Sequence, residues 1–129
     1  MMRLLLDTHA FLWWVDDAPQ LSRRARAAIA NAENECLVSL ASFWEMAIKA
    51  SLGKLDLPAP MERFIPEQLA VNRFQRLDID FRHVVRTAAM PFHHRDPFDR
   101  LLAAQALEED LTLVSGDPVF RKYKVRRLW

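Results

Sequence analysis

Three short runs constrain this chain more than any other feature. "RLLL" (3–6), "CLV" (36–38) and "LTLV" (111–114) are apolar almost throughout and lack the alternation of a half-exposed strand. Such brief runs read as strands covered on both faces, which is the setting of a parallel sheet. "FQRL" (74–77) reads as a fourth strand and "VRRL" (125–128) as a weaker fifth. Helical patterns fill the intervals. Residues 22–31 open with Ser22 as N-cap and carry Ala25, Ala28 and Ile29 on one face. Residues 40–52 space Leu40, Phe43, Trp44, Ala47 and Ile48 helically and stop at Gly53. Segments 60–71, 80–89 and 97–109 complete the series, and Pro58 and Pro60 mark a turn. Strands alternating with helices across 129 residues, 51% of them hydrophobic, predict one α/β domain over residues 1–129 around a mainly parallel sheet.

Composition then removes several function classes. Lys plus Arg number 18 against 17 Asp plus Glu, so a grip on nucleic acid by bulk charge is excluded and any such grip is local. The one cysteine, Cys36, lies in an apolar run and reads as a buried thiol, which leaves no disulfide and no cysteine metal cluster. Two glycines, Gly53 and Gly116, cannot build a P-loop or a dinucleotide fingerprint. Asp7 and His9 break the N-terminal apolar run, no small-residue cleavage site follows, and no stretch reaches the length of a membrane span. The expectation is a soluble, cytoplasmic protein with no membrane partner.

Sites in open parallel sheets form beyond the carboxyl ends of the strands. There the tally is acidic. Asp7 follows the first run, Ser39 follows the second and leads into a helix bearing Glu45, Ser115 and Asp117 follow "LTLV", and Asp99 lies in the first turn of the helix before it. Carboxylates so gathered raise each other's pKa and oppose folding unless a cation sits among them. An all-oxygen cluster suits Mg²⁺ or Mn²⁺. Each acid also has a plainer role open to it. Asp7 is a fit N-cap for "THAF", Glu45 stands at capping-box spacing from Ser42, and Asp117 before Pro118 is an ordinary turn residue. If the helix starts at Ser39 instead, Glu45 falls in its second turn, where no free backbone N–H needs it.

"HRDPFDRLLAAQA" (93–105) holds two aspartates with different tasks. Asp99 shares a face with Leu102, Ala103 and Ala106 and points inward, whereas Asp96 with Pro97 behind it starts the helix. Asp96 therefore caps and Asp99 carries chemistry, although from the rim Asp96 could reach a second metal or its waters. Arg100, Ala104 and Glu108 mark the more solvated face. A zinc site from His93, His94 and Asp96 is disfavoured, because adjacent loop histidines rarely converge and no further ligand pair has suitable spacing. His9, two residues past Asp7, is the better histidine neighbour for the acids. The tryptophans, 13, 14, 44 and 129, read as core or interface mass. "RRAR" (23–26) and "RKYKVRR" (121–127) are solvated faces, or beside a metal site would suit a phosphate backbone or an acidic protein partner.

"LLLDTHAFLWW", "LSRRARAAI", "VSLASFWEMAIKASLGKL", "HRDPFDRLLAAQALEEDLTLVSGDPVF" and "YKVRRLW", taken in order over nearly the whole chain, resemble the PIN-domain nucleases, most closely the VapC-type ribonuclease toxins of toxin–antitoxin pairs. The resemblance implies a three-layer α/β/α sandwich with a mainly parallel four- or five-stranded sheet and an acidic pocket for one or two Mg²⁺ or Mn²⁺ ions. The family's acids fall on Asp7, Glu45, Asp99 and Asp117, the residues already selected. Thr8, His9, Ser39, Asp96 and Ser115 would surround them, and Arg95, Arg100, Arg121 and Lys122 would meet RNA. The implied activity is metal-assisted hydrolysis of RNA phosphodiesters by a homodimer, silenced by a VapB-like antitoxin whose C-terminal segment lies across the groove. Other readings are a receiver-like phosphoacceptor, which would want an Asp at Ser39 and a late Lys, a catalytically silent binding module, and a housekeeping RNA-processing nuclease.

Overall fold

The five apolar runs build one five-stranded, all-parallel sheet in a computed structural model that describes residues 1–129. In chain order the elements are β1 (Arg3–Leu6), α1 (Thr8–Val15), α2 (Arg23–Ala30), β2 (Glu35–Ser39), α3 (Leu40–Ser51) and α4 (Met61–Asn72). They continue with β3 (Gln75–Leu77), α5 (Phe81–Ala89), α6 (Pro97–Glu108), β4 (Thr112–Val114), a 3-10 helix (Pro118–Tyr123) and β5 (Arg127–Leu128). The strand order is β3-β2-β1-β4-β5, so β1 lies at the centre. Leu4, Leu5 and Leu6 register with Cys36, Leu37 and Val38 on one side and with Thr112, Leu113 and Val114 on the other.

Period-two geometry sends successive strand residues to opposite faces, and each face has its own core. Leu4, Leu6, Cys36, Val38 and Val114 meet Ala10, Phe11, Ile29, Phe43, Met46 and Phe64. Leu5, Leu37 and Leu113 meet Leu102, Ala103, Ala106 and Phe120. The result is the expected three-layer sandwich. Cys36 is buried, as expected, and burial pushes its thiol up to about 11. The edge strands are shorter than their runs: Phe74 leaves the strand to join the core, and β5 keeps two residues. No helix is long and apolar enough to cross a membrane.

One expectation about α6 is overturned. Arg100 and Ala104 do not lie on a solvated face, because α6 is covered on that side by α5 and the loop before it, leaving both residues buried. The Arg100 guanidinium donates to the carbonyls of Thr87 and Pro91 at 2.9 Å each and to the Tyr123 hydroxyl at 3.2 Å, and lies 4.2 Å from the Phe92 ring centroid. A buried cation needs such satisfaction. Arg100 ties the 90–94 loop to α6 and is not available to RNA.

Candidate active site

Chain connections from β1 run toward β2 on one side and, much later, β4 lies on the other, so the strand order reverses at the β1/β4 pair. Helices leave the two strands in opposite directions there and open a crevice at the carboxyl edge. Its cavity, about 490 Å³, is lined by Asp7, Glu45, Asp96, Asp99 and Asp117 together with Thr8, His9, Trp13, Gln20, Lys49, Gly116 and Trp129. All four acids selected from the sequence thus share one cavity.

Each is fixed by the element that carries it. Asp7 is the N-cap of α1, accepting from the Ala10 N–H at 2.8 Å, and its own N–H donates to the Val114 carbonyl at 3.1 Å, which locks it to β4. Asp117 caps the 3-10 helix through the Val119 N–H at 3.0 Å, and its N–H donates to the Ser115 hydroxyl at 3.1 Å. Capping and site roles therefore coincide in these two residues. Glu45 has no such duty. The N-cap of α3 is Ser39, not Ser42, so Glu45 sits in the second turn, accepting from the Thr8 hydroxyl at 2.6 Å and pairing with Lys49 Nζ at 3.1 Å. Asp96 caps α6 through the N–H groups of Phe98 (2.8 Å) and Asp99 (3.2 Å). Its neighbour Asp99 faces the acids.

The electrostatic cost is visible. Burial, opposed in part by a hydrogen bond from Ser115 and by the Ala10 N–H, raises the Asp7 carboxyl. Burial first, and then the charges of Asp96, Asp7 and Glu45, push Asp99 up to about 7, with His94 pulling the other way. His94 is the residue that sequence reasoning missed. The two histidines indeed do not converge: His93 turns away onto the Tyr123 ring, at 5.1 Å between centroids. His94 instead places Nε2 2.8 Å from Asp99 Oδ2 and 3.4 Å from Asp117 Oδ2. Tyr123 aims it by accepting the His94 N–H at 2.8 Å. The signal available was the position of His94 five residues before Asp99, on the loop that leads into the same helix.

Other predicted neighbours separate. Thr8 and His9 line the cavity, and Ser115 lies beside Asp7, but Ser39 is fully buried with its hydroxyl donating to Gln105 Oε1 at 2.5 Å, away from the cavity lining. Arg95 and Arg121 are exposed outside that lining, and Lys122 lines a separate groove with Arg86 and Met90. Lys49, Gln20, Trp13 and Trp129 belong to the cavity and were not selected as site residues. Lys49 follows Glu45 at helical spacing, which was the cue for it.

The donor set fits a hard divalent cation. One ligand atom each from His94, Asp99 and Asp117 lies within 4.8 Å of the others, and carboxylates outnumber the cations available to compensate them. The buried His94 Nε2, although close to Asp99, lacks the alignment of a hydrogen bond and has no hydrogen-bond partner. His94 Nδ1 accepts the Asp96 N–H at 3.3 Å, which leaves Nε2 facing the two carboxylates.

The PIN domain family model matches residues 4–125, and the chain belongs to the PIN-domain family. It is 31% identical over 125 residues to Ribonuclease VapC22 of Mycobacterium tuberculosis (strain ATCC 25618 / H37Rv), an alignment covering 96% of this chain and 94% of that protein. Ribonuclease VapC16 of the same organism is 34% identical over 64 residues, 50% of this chain and 45% of that protein. Among solved structures, VapBC2 from Rickettsia felis bound to a DNA fragment from their promoter superposes with a TM-score of 0.67 at 15% identity, covering 98% of this chain and 97% of that one. FitAcB from Neisseria gonorrhoeae gives 0.67 at 20% identity, covering 96% and 95%. At such identities these structures speak to the fold alone.

Proposed function

We propose that this chain is a Mg²⁺- or Mn²⁺-dependent endoribonuclease and the toxin of a toxin–antitoxin pair. The observation that carries the reading is the convergence of Asp7, Glu45, Asp99 and Asp117, from four separate elements, on one cavity at the sheet's switch point with too few cations to balance them. Support also comes from the relative named Ribonuclease VapC22, similar over nearly its whole length.

Asp7, Asp99 and Asp117 would hold the metal, and Glu45 would complete its shell or orient the attacking water. A bound divalent ion supplies Lewis acidity, which makes hydroxide available near neutral pH and offsets charge on the phosphate. The chain's own residues do the positioning. Thr8 fixes one Glu45 oxygen and Lys49 the other, while the Ala10 and Val119 N–H groups hold Asp7 and Asp117 at their strand ends. Water would then add to phosphorus as the bond to the leaving ribose oxygen breaks, the water giving up one proton to solvent and the leaving oxygen taking one from solvent.

A VapB-like antitoxin is the partner that the VapBC structural relatives support, and an acidic cavity of this kind is suited to receive a basic side chain from it. A homodimer would cover the strip where exposed Trp44 meets Phe98 edge-on at 5.2 Å between centroids. The test is cleavage of a mixed single-stranded and stem-loop RNA pool by antitoxin-free protein. Cleavage in Mn²⁺ that disappears with EDTA and with Asp99→Asn supports the reading. A wild type that cuts nothing, or cuts equally in EDTA, returns the chain to the binding-module reading.

A further inference from the structure

The cavity has two unlike sides. One carries the acids. The other is a connected row of His9, Trp13 and Trp129 with Gly116 against the last ring, and none of these carries a carboxylate. His9 and Trp13 are four residues apart on α1, on one face of the helix, and their rings stack at 5.2 Å with planes only 11° apart. Trp13 continues to Trp129 at 5.9 Å between centroids, tilted by 53°. The row of rings is held from behind, since Trp13 and Trp129 rest against the core formed by Leu4, Phe11 and Leu128.

Two further details set these aromatics apart from core mass. The Trp14 indole N–H is spent on Asn72 Oδ1 at 3.0 Å, whereas Trp13 and Trp129 stay partly exposed at the cavity. Gly116 lies between Ser115 and Asp117, and a Cβ there would meet the Trp129 ring at 3.1 Å. Absence of that side chain lets the indole lie flush against the backbone that carries Asp117. Gln20 also lines the cavity, is exposed and offers both a donor and an acceptor.

We infer that this wall is a base-stacking subsite, and that it seats the nucleobase adjoining the phosphate held at the acids. An aromatic surface without carboxylates beside a candidate metal-binding pocket matches the two halves of a nucleotide, and single-stranded RNA presents unstacked bases for such contacts. Stacking tolerates any base, while Gln20 can read one edge. The inference rests on the nuclease reading above and adds to it where the base goes.

The test is a single-stranded RNA oligonucleotide containing a site the protein cuts, compared with copies in which one abasic ribonucleotide is walked through the positions around the cut. One abasic position should raise KM about 10-fold or more, the scale of one lost aromatic stack. Trp13→Leu and Gly116→Ala should raise KM for the intact strand and flatten its advantage over the abasic copy, and Trp129→Phe should retain most of that advantage. Tryptophan fluorescence in EDTA gives a second reading that needs no cleavage: the intact strand should quench it, the abasic strand less so, and Trp13→Leu should lose the difference. Equal cleavage and quenching by intact and abasic strands would overturn the subsite while leaving the nuclease standing. A protein that cuts nothing yet still discriminates bases by quenching would instead remove the nuclease reading and keep the subsite.

Discussion

Two places in this molecule gather acids around a histidine at distances a metal could bridge, and they are held in opposite electrostatic states. At the N-terminus of α5, Asp80, His83 and Glu109 form a closed network. His83 is fully buried, its Nδ1 accepts the Asp80 N–H at 3.0 Å, and its Nε2 lies 2.9 Å from Glu109 Oε1. Arg82 then bonds Glu109 at 2.8 Å and Asp80 at 3.1 Å, and its hydrogen bond holds the Asp80 carboxyl below the usual range. Both His83 nitrogens, both Asp80 oxygens and Glu109 Oε1 are already used. At the crevice, Asp7 and Asp99 are both pushed upward, and His94 and Lys49 face a larger number of carboxylates. Proximity of acids and histidine is common to both. Compensation separates a structural knot from a place that wants a cation.

The largest expected effect divides the two by function. Asp99→Asn should lower RNA cleavage in Mn²⁺ by about 100-fold or more, since loss of a metal ligand removes several kcal/mol of charge stabilisation. His83→Ala should leave cleavage near wild type and instead lower stability by about 1–3 kcal/mol in urea unfolding, because Glu109 and the Asp80 N–H lose buried partners. The reverse pattern would break the comparison.

Next is the dependence of metal-free stability on pH, where the regions have opposite signs. Asp99 rises in the fold from an ordinary 3.8 to about 7, so the native state binds the proton more tightly than the unfolded chain between those values. Its contribution is full below about 4 and is lost as pH climbs toward 7. Asp80 is lowered, so its contribution is present above the unfolded value of 3.8 and is lost as pH falls through the folded one. Thermal melts between pH 5 and 8 in EDTA should therefore show stability falling with pH in the wild type and flattening in Asp99→Asn. Adding Mn²⁺ should raise the melting temperature more at pH 8 than at pH 5.5.

Smaller effects sharpen the assignment. Lys49→Met removes the cation beside Glu45, so stability without metal should fall by less than about 1 kcal/mol while the Mn²⁺-induced rise in melting temperature grows. Asp96→Asn should change least, because Asn caps a helix as well as Asp does. Activity within about threefold of wild type would keep Asp96 as the cap of α6, and a loss as large as that of Asp99→Asn would make it a ligand.

Much of this was legible because short apolar runs and strand ends are local features. "RLLL" and "CLV" read as buried strands, and Asp7 after the first and Glu45 on the helix after the second reach the crevice because parallel strands all end on one side. Asp7 and Asp117 show that a capping role does not argue against a place in the crevice, because each caps a helix and also lines the cavity. What the sequence hid depended on packing between distant segments. Arg100 looked solvated because nothing local reveals that the 90–94 loop folds over it. His94 was set aside because adjacent loop histidines rarely converge and no further ligand pair had suitable spacing, but Tyr123, 29 residues on, holds its backbone where the ring faces Asp99 and Asp117. Ser39 looked like part of the crevice, but its hydroxyl is taken by Gln105 from α6.

The most direct measurement is calorimetric titration of Mn²⁺ into the wild type, Asp99→Asn and His83→Ala near pH 7.5. Binding in the wild type and in His83→Ala, with loss in Asp99→Asn, is the expected result and makes the crevice the metal centre. Binding that survives Asp99→Asn and vanishes in His83→Ala would place the metal at the Asp80–His83–Glu109 network, and absence of binding in all three would leave the acidic crevice without its cation.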